Sequence, residues 1–270
     1  MAVDREKAEA GLKELTRAYS DAQKTLLAMI RETLLTENLG RRTNLMRRWT
    51  EIERYLRELG VETNPIARTL IQNAWTEGDA SVTRLLPRDR VGIQFGTINR
   101  EAMEVMQSAF TATLEDTRRT VGRQTFDVYR RAGLRSTAQG LLGARGSSRA
   151  VSQDLLERLQ ARGVKGFTDK LGRQWDLRTY TNMVARTTTR EAVVQAQIQR
   201  MASQGLDLAR VSSSGNPCPI CAQWQGVLVS LSGNTAEHDG EPATTLDAMP
   251  NGGPPFHGNC RHYLTPEVTW

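Results

Sequence analysis

The chain has little of the chemistry on which common enzyme motifs depend. Its 270 residues include only three cysteines and three histidines, and aromatic residues make up 6%. Glycine-rich phosphate loops, the H-E-x-x-H zinc motif and the G-x-S-x-G nucleophile motif are all missing. These absences argue against a nucleotide-driven motor and against the common hydrolases, so we expect a protein that is not an enzyme.

Long apolar runs are missing as well. No stretch approaches the roughly 20 apolar residues that a membrane-spanning helix needs, so we expect no membrane partner. The opening residues, Met1 to Asp4, lead into charged residues and not into the apolar core of a signal peptide. An odd number of cysteines fits a reducing compartment better than a disulfide framework. We therefore expect synthesis in a cytoplasm.

Basic residues are scarce at one end of the chain. Residues 201–270 contain two basic and six acidic residues, whereas residues 1–200 contain 34 basic and 24 acidic residues. The excess is mostly arginine, whose guanidinium group suits phosphate and carboxylate partners, although a solvated helical surface explains it equally well. The candidates for contacts with a partner or with DNA phosphates are Arg41, Arg42, Arg47, Arg48, Arg186 and Arg190.

Apolar residues recur at helical spacing through the first 140 residues. The pattern predicts two long helices from residue 4 to about residue 60, with a break at 38–40. Gly60 has the position of a C-cap, and Pro65 has the position of the first residue of a further helix. Another helix is predicted over residues 97–131. The N-terminal region is therefore predicted to be mainly α.

Small residues at 144–149 mark a plausible boundary between two domains. A helical, basic region at 1–145 precedes a small α+β domain at 150–270. The predicted elements of the second domain are a short helix at 150–162, a hairpin at 163–175, a helix from Asp176 to about Gln204 capped by Gly205, strands at 207–214 and 226–231, and a long loop at 232–256.

All cysteines and histidines lie in the last 53 residues, and most fit one metal-binding pattern. Cys218 and Cys221 form a C-x2-C turn, and His257 and Cys260 form an H-x2-C turn. Two such turns can close a tetrahedron of sulfur and nitrogen ligands around Zn²⁺. We predict these four residues as ligands, with His262 as an alternative to His257. Four protein ligands leave no position for water, so the predicted site is structural.

Two other functions compete with a structural role. A zinc-containing DNA-binding protein should carry basic residues beside its metal, yet this segment is acidic. An enzyme would use a polar cluster of Arg186, Arg190 and Glu191, provided that these groups converge in a pocket. The threonines at 187–189 are unusual inside a helix, and their hydroxyls can bond back to the preceding turn or reach a partner.

Two groups of residues resemble a known family. The first is Asp169 to Trp175, Tyr180, Met183, Ala185 to Thr188, Glu191 and Ala192. The second is Cys218-Pro219-x-Cys221, Gly226 and Pro254-Pro255-x-His257-x-Asn259-Cys260-Arg261-His262. Together, over about residues 163–266, they resemble the phage minor capsid protein 2 group and the wider phage Mu F-like head-morphogenesis family.

The resemblance implies a virion protein of a tailed bacteriophage, present in few copies inside the head near the portal vertex. Its implied partners are the portal protein, a major capsid or scaffold protein, and packaged DNA, which the basic region would touch non-specifically through phosphates. It would be synthesised in the cytoplasm of the host bacterium. Some relatives carry C-terminal toxin domains, for which we expect no room after Pro266.

Overall fold

Long helices dominate the computed structural model, which describes residues 2–36, 42–86, 97–141, 167–168 and 173–267. Its first elements are α1 (Ala2–Thr36), α2 (Arg42–Thr83), α3 (Thr97–Leu141), the antiparallel strands β1 (Phe167–Thr168) and β2 (Gln174–Trp175), and α4 (Leu177–Ser203). None of the helices in the described residues is long and apolar enough to cross a bilayer. The mainly helical fold with a small strand-containing C-terminal region is confirmed.

Short strands and turns make up the segment after α4. They are β3 (Leu208–Val211), the single helical turn α5 (Pro219–Ala222), β4 (Leu228–Ser230), β5 (Glu237–His238), β6 (Glu241–Pro242), β7 (Thr244–Thr245) and β8 (Leu264–Pro266). Four strands form a sheet in the order β7, β4, β3, β8. In this sheet β3 is antiparallel to β4 and β8, while β4 is parallel to β7. The remaining strands, β5 and β6, pair antiparallel.

The helix end at Gly60 and the helix start at Pro65 were wrong, because α2 is continuous through both. A Cβ atom at Gly60 would lie 3.0 Å from Nη2 of Arg118, so this glycine leaves room for a buried guanidinium group. Pro65 removes the hydrogen bond to the carbonyl of Val61. Val61 is 78% exposed, so water can satisfy that carbonyl without ending the helix.

Other sequence predictions are confirmed. Asp176 caps α4, since its Oδ1 accepts a hydrogen bond of 2.8 Å from the backbone N–H of Thr179. Gly205 follows the helix with a φ of +70°, the left-handed conformation typical of a glycine cap. The loop at 232–256 has more structure than predicted, because three two-residue strands lie within it. The helix break at 38–40 and the helix at 150–162 lie outside the described residues.

Two compact units divide the chain. The first unit is Met1–Leu12, Ala67–Phe110 and Met183–Trp270, and the second unit is Lys13–Ile66 and Thr111–Asn182. The predicted boundary at 145–150 lies outside the described residues, so the division into domains at 1–145 and 150–270 stays a prediction.

The second unit is built on helices α1, α2 and α3, which enclose a buried arginine. Arg118 of α3 is only 6% exposed, although it belongs to the basic N-terminal region. It donates hydrogen bonds to the Tyr19 hydroxyl (2.7 Å), to Thr63 Oγ1 (3.5 Å) and to Asn64 Oδ1 (3.2 Å). All three acceptors are neutral. Arg118 therefore links the three helices through polar contacts in the interior of the unit.

In the first unit, α2 and α4 cross closely at Gly78. A Cβ atom there would lie 2.3 Å from the Val193 carbonyl oxygen and 2.8 Å from the Cβ of Ala196. The buried side chain of Gln197 donates a hydrogen bond to Ser81 Oγ (2.9 Å) and accepts one from the backbone N–H of Leu264 (3.2 Å). This amide fixes the start of β8 against the two helices, two residues beyond His262.

Candidate metal centre

The first pair of candidate ligands lies on α5, the helical turn that follows β3. The backbone N–H groups of Cys221 and Ala222 both donate hydrogen bonds of 3.0 Å to the Cys218 carbonyl. Pro219 begins the turn, where a missing N–H costs nothing. This local geometry follows from the C-P-x-C sequence, and it brings the two cysteines to one side of a tight turn.

The second pair lies on the turn that precedes β8. The backbone N–H of Cys260 donates a hydrogen bond of 3.1 Å to the His257 carbonyl. Asn259, between them, has a φ of +63°, which asparagine tolerates better than most residues. Its N–H donates to Thr187 Oγ1 of α4 at 3.2 Å. The hydroxyl of Thr187 also donates a hydrogen bond to the Met183 carbonyl. Thr187 therefore bonds to the preceding turn of its own helix and also to the turn that carries His257 and Cys260.

The five sulfur and nitrogen donors lie in two overlapping groups. Cys218, Cys221 and His257 form one, and Cys221, Cys260 and His262 form the other, each with all ligand atoms within 4.8 Å of one another. His257 Nε2 lies 3.2 Å from Cys218 Sγ and 3.1 Å from Cys221 Sγ. Cys260 Sγ lies 3.8 Å from Cys221 Sγ and 3.5 Å from His262 Nδ1. Cys221 belongs to both groups.

This arrangement fits a soft divalent metal. With metal–sulfur bonds of about 2.3 Å and metal–nitrogen bonds of about 2.0 Å, a tetrahedral zinc site separates two sulfurs by about 3.8 Å and sulfur from nitrogen by about 3.5 Å. The distances around Cys260 agree with these values, and those around His257 are slightly shorter. Both histidines therefore stay candidates for the fourth position beside three thiolates.

Both histidines direct an unprotonated ring nitrogen at the sulfurs. His257 Nδ1 donates to the Gly258 carbonyl at 2.8 Å, which leaves Nε2 with its lone pair. His262 Nε2 donates to Gln225 Oε1 at 3.3 Å, which leaves Nδ1 with its lone pair. Oε1 must act as the acceptor, since it also accepts a bond from the backbone N–H of Ser214. Such a second hydrogen bond is what orients a metal-ligating histidine.

Burial shapes the electrostatics of the site. Burial is the main cause that lowers the pKa of His262, with the charge of Arg190 adding to it, so the imidazole stays in the neutral form that can ligate a metal. The backbone N–H of Cys221 lowers the pKa of the Cys218 thiol, whereas burial raises the pKa of Cys221 to about 12. A bound cation would favour the thiolate of Cys221 and displace its proton.

The predicted arginine contacts have different surroundings. Arg186 and Arg190 both line a cavity beside the metal centre. Arg48 pairs with Glu51 at 2.7 Å, while Arg47 is exposed on α2. Arg41 and the side chain of Arg42 lie outside the described residues.

Glu191 does not join Arg186 and Arg190, contrary to what the enzymatic hypothesis requires. It lines a different cavity, together with Trp75, Val105 and Pro254. Residues four positions apart on a helix, such as Arg186 and Arg190, share a face, whereas the side chains of adjacent residues diverge by about 100°. Arg190 and Glu191 are adjacent, so the helix directs them into separate cavities.

Sequence reasoning missed two residues that contribute to this region. Gln225 and Arg261 were not predicted as site residues, although Gln225 orients His262 and Arg261 shares the cavity with Arg186 and Arg190. The proximity of Gln225 to Cys221 was a possible signal, but its hydrogen bond depends on the fold. Among the described residues, His238 belongs to neither metal-ligating group and lies 3.5 Å from the Asp239 carboxylate.

A helical protein with a compact Cys/His centre and a small sheet is the class defined by these features. The family model for phage minor capsid protein 2 matches residues 4–269, so the chain belongs to that family. The match extends well beyond residues 163–266 and includes the helical N-terminal region, where sequence reasoning found no motif. No curated protein and no solved structure matches the chain.

Proposed function

We propose that the chain is a non-enzymatic assembly protein of a tailed-phage head, held at the portal vertex inside the capsid in few copies. Membership of the minor capsid family supports a capsid-associated role in the virion and association with other capsid components. The observation that carries the proposal is that this match includes the long helices as well as the Cys/His segment. The helices offer extended surfaces for docking on portal, major capsid or scaffold protein.

A structural Zn²⁺ is the second part of the proposal. Cys218, Cys221, Cys260 and one of the two histidines would hold it, and three thiolates with one imidazole leave no coordination position for a reacting water. The metal would fasten α5 to the turn before β8. Its role is to stabilise the short elements of the segment, not to perform chemistry.

Contact with packaged DNA is the third part. The arginine excess of residues 1–200 supports weak, non-specific contact with phosphates. Arg118 is buried and Arg48 is paired with Glu51, so fewer arginines serve this role than composition suggests. We therefore expect DNA contact to be weak and to weaken further as the salt concentration rises.

Purified virions provide the test of location. Mass spectrometry should find the chain at far fewer copies than the major capsid protein, and chemical cross-linking should join its helices to the portal protein. A phage with an early stop codon in the gene should assemble defective heads, and the intact gene supplied in trans should restore them. Absence of the chain from purified virions would overturn the assignment.

Metal content provides the test of the proposed structural zinc. The purified chain should contain one zinc, which Cys218→Ser removes together with the protection of the other thiols. Comparison of His257→Ala with His262→Ala identifies the fourth ligand, because only the ligand's loss weakens zinc binding strongly. His238→Ala is the matched control, since His238 lies outside both groups. Freely reacting thiols and no metal in the intact chain would contradict the proposed structural zinc.

A further inference from the structure

A cavity of about 450 Å³ lies beside the metal centre in the first unit. Cys260 and its two neighbours, Asn259 and Arg261, form part of its wall. Its volume lies within the range of small-molecule sites, ~300–1,000 Å³. The turn that carries a candidate metal ligand thus also shapes a cavity large enough for a ligand.

Three arginines contribute to the lining of this cavity. Arg186 and Arg190 are four residues apart on α4, so they share one helix face, and Arg261 comes from the turn next to Cys260. A compact anion in the cavity could accept paired hydrogen bonds from guanidinium groups.

Two carboxylates restrict what the cavity can accept. Glu9 and Glu77 also line it, so its formal charge is positive by a single unit. An extended phosphodiester chain would bring several negative charges close to these carboxylates. A compact oxyanion can contact the arginines without doing so, and it would compete with the two carboxylates for the guanidinium groups.

We propose that this cavity binds a single phosphate group, supplied either as free phosphate or as the terminal phosphate of a nucleic-acid strand. The proposal is independent of the capsid role, because it rests on the residues that line the cavity. Arg190 of α4 and Arg261 of the neighbouring turn supply guanidinium groups that bind the anion, and Arg186 adds positive charge. Glu77 limits its affinity.

Calorimetric titration of the full chain, as purified, tests the proposal. Inorganic phosphate should bind, and the double variant Arg190→Gln, Arg261→Gln should weaken binding by at least about tenfold, since charge-assisted hydrogen bonds are lost. Arg178→Gln is the matched control, because Arg178 is exposed on the same helix but does not line the cavity. If the double variant fails to fold, Arg261→Gln alone gives the same comparison at an exposed position.

Glu77→Gln gives a readout that a merely structural role of the cavity would not move. Removal of the competing carboxylate should strengthen phosphate binding severalfold. No phosphate binding at millimolar concentration, undiminished binding by the double variant, or no gain in Glu77→Gln would each overturn the proposal.

Short oligonucleotides distinguish the two sources of phosphate. Binding of a 5′-phosphorylated strand but not of its 5′-hydroxyl counterpart would identify a strand end as a source. Binding of inorganic phosphate alone would identify the free anion. Equal binding of both strands at this cavity would contradict a compact-phosphate site, as would tighter binding of an acidic peptide than of phosphate.

Discussion

The second unit and the segment 205–267 of the first unit are stabilised in different ways. In the second unit, long helices bury residues such as Leu15, Ile30 and Ile52 almost completely. In the segment 205–267, the strands are only two to four residues long. Its apolar core, which includes Val211, Val229 and Phe256, is supplemented by polar contacts such as those of Arg210, which binds Glu241 and Glu267.

The comparison shows how element length determines the means of stabilisation. A long amphipathic helix buries a continuous stripe, so losing one contact leaves many others. A two-residue strand buries almost nothing, so its position depends on a few specific contacts. We expect the second unit to tolerate single substitutions and the segment 205–267 to depend on a few residues.

Loss of the proposed zinc should show the difference between the two regions most clearly. Cys221→Ser removes the donor that both candidate ligand groups share, and a structural zinc would contribute roughly 10 kcal/mol or more. Limited proteolysis should then cut within 205–267, while far-UV circular dichroism retains most of its helical signal. His238→Ala should leave the cleavage pattern unchanged. Equal resistance of Cys221→Ser and the intact chain would refute this dependence.

A methyl group added where α2 and α4 cross should have the next largest effect. Gly78→Ala places a methyl group 2.3 Å from a backbone carbonyl oxygen, which cannot rotate away as a flexible side chain could. We expect unfolding to become easier by about 3 kcal/mol, measured by urea denaturation. Gly215→Ala should change little, because no atom lies within 4 Å of the added carbon. Similar midpoints for the two variants would show that the helices can move apart cheaply.

Removal of the buried guanidinium group of Arg118 tests whether the second unit tolerates single substitutions as its long helices suggest. Arg118→Met leaves the Thr63 and Asn64 side chains and the Tyr19 hydroxyl without their donor, which should cost about 2 kcal/mol in urea denaturation. Arg119→Met is the control, because that side chain is 72% exposed. If Arg118→Met is as stable as the intact chain, apolar packing alone holds this core.

Acidification should affect the segment 205–267 through Asp207. Burial alone would raise the pKa of Asp207, but hydrogen bonds from Thr235, Ser232 and Ser230 lower it from 3.8 to about 2. A lowered folded-state pKa stabilises the fold above the unfolded value and loses that effect as pH falls.

The free energy of unfolding of the intact chain should therefore exceed that of Asp207→Asn by about 1 kcal/mol at neutral pH, after allowance for solvent screening. The difference should shrink between about pH 5 and pH 2. Thermal denaturation at several pH values measures it, with the exposed Asp247→Asn as the control. A difference that does not change with pH would exclude the carboxylate as its source.

Local sequence patterns predicted the features that depend on near neighbours. The helices, the Asp176 cap and the tight turns at Cys218 and His257 all follow from residues within about four positions of one another. Gly60 and Pro65 misled the same reasoning, because a helix survives both when distant groups or water compensate. Arg118, which explains Gly60, is 58 positions away.

The sequence by itself determined the helical class, the family resemblance and the identity of the sulfur and nitrogen donors. Spacing and side-chain chemistry are local properties, so they can be read without a fold. Only the tertiary structure decided that Cys221 is shared between two donor groups, that Gln225 orients His262 and that Arg261 joins Arg186 and Arg190. These relations join residues that the chain separates, and only packing brings such residues within hydrogen-bonding or coordination distance.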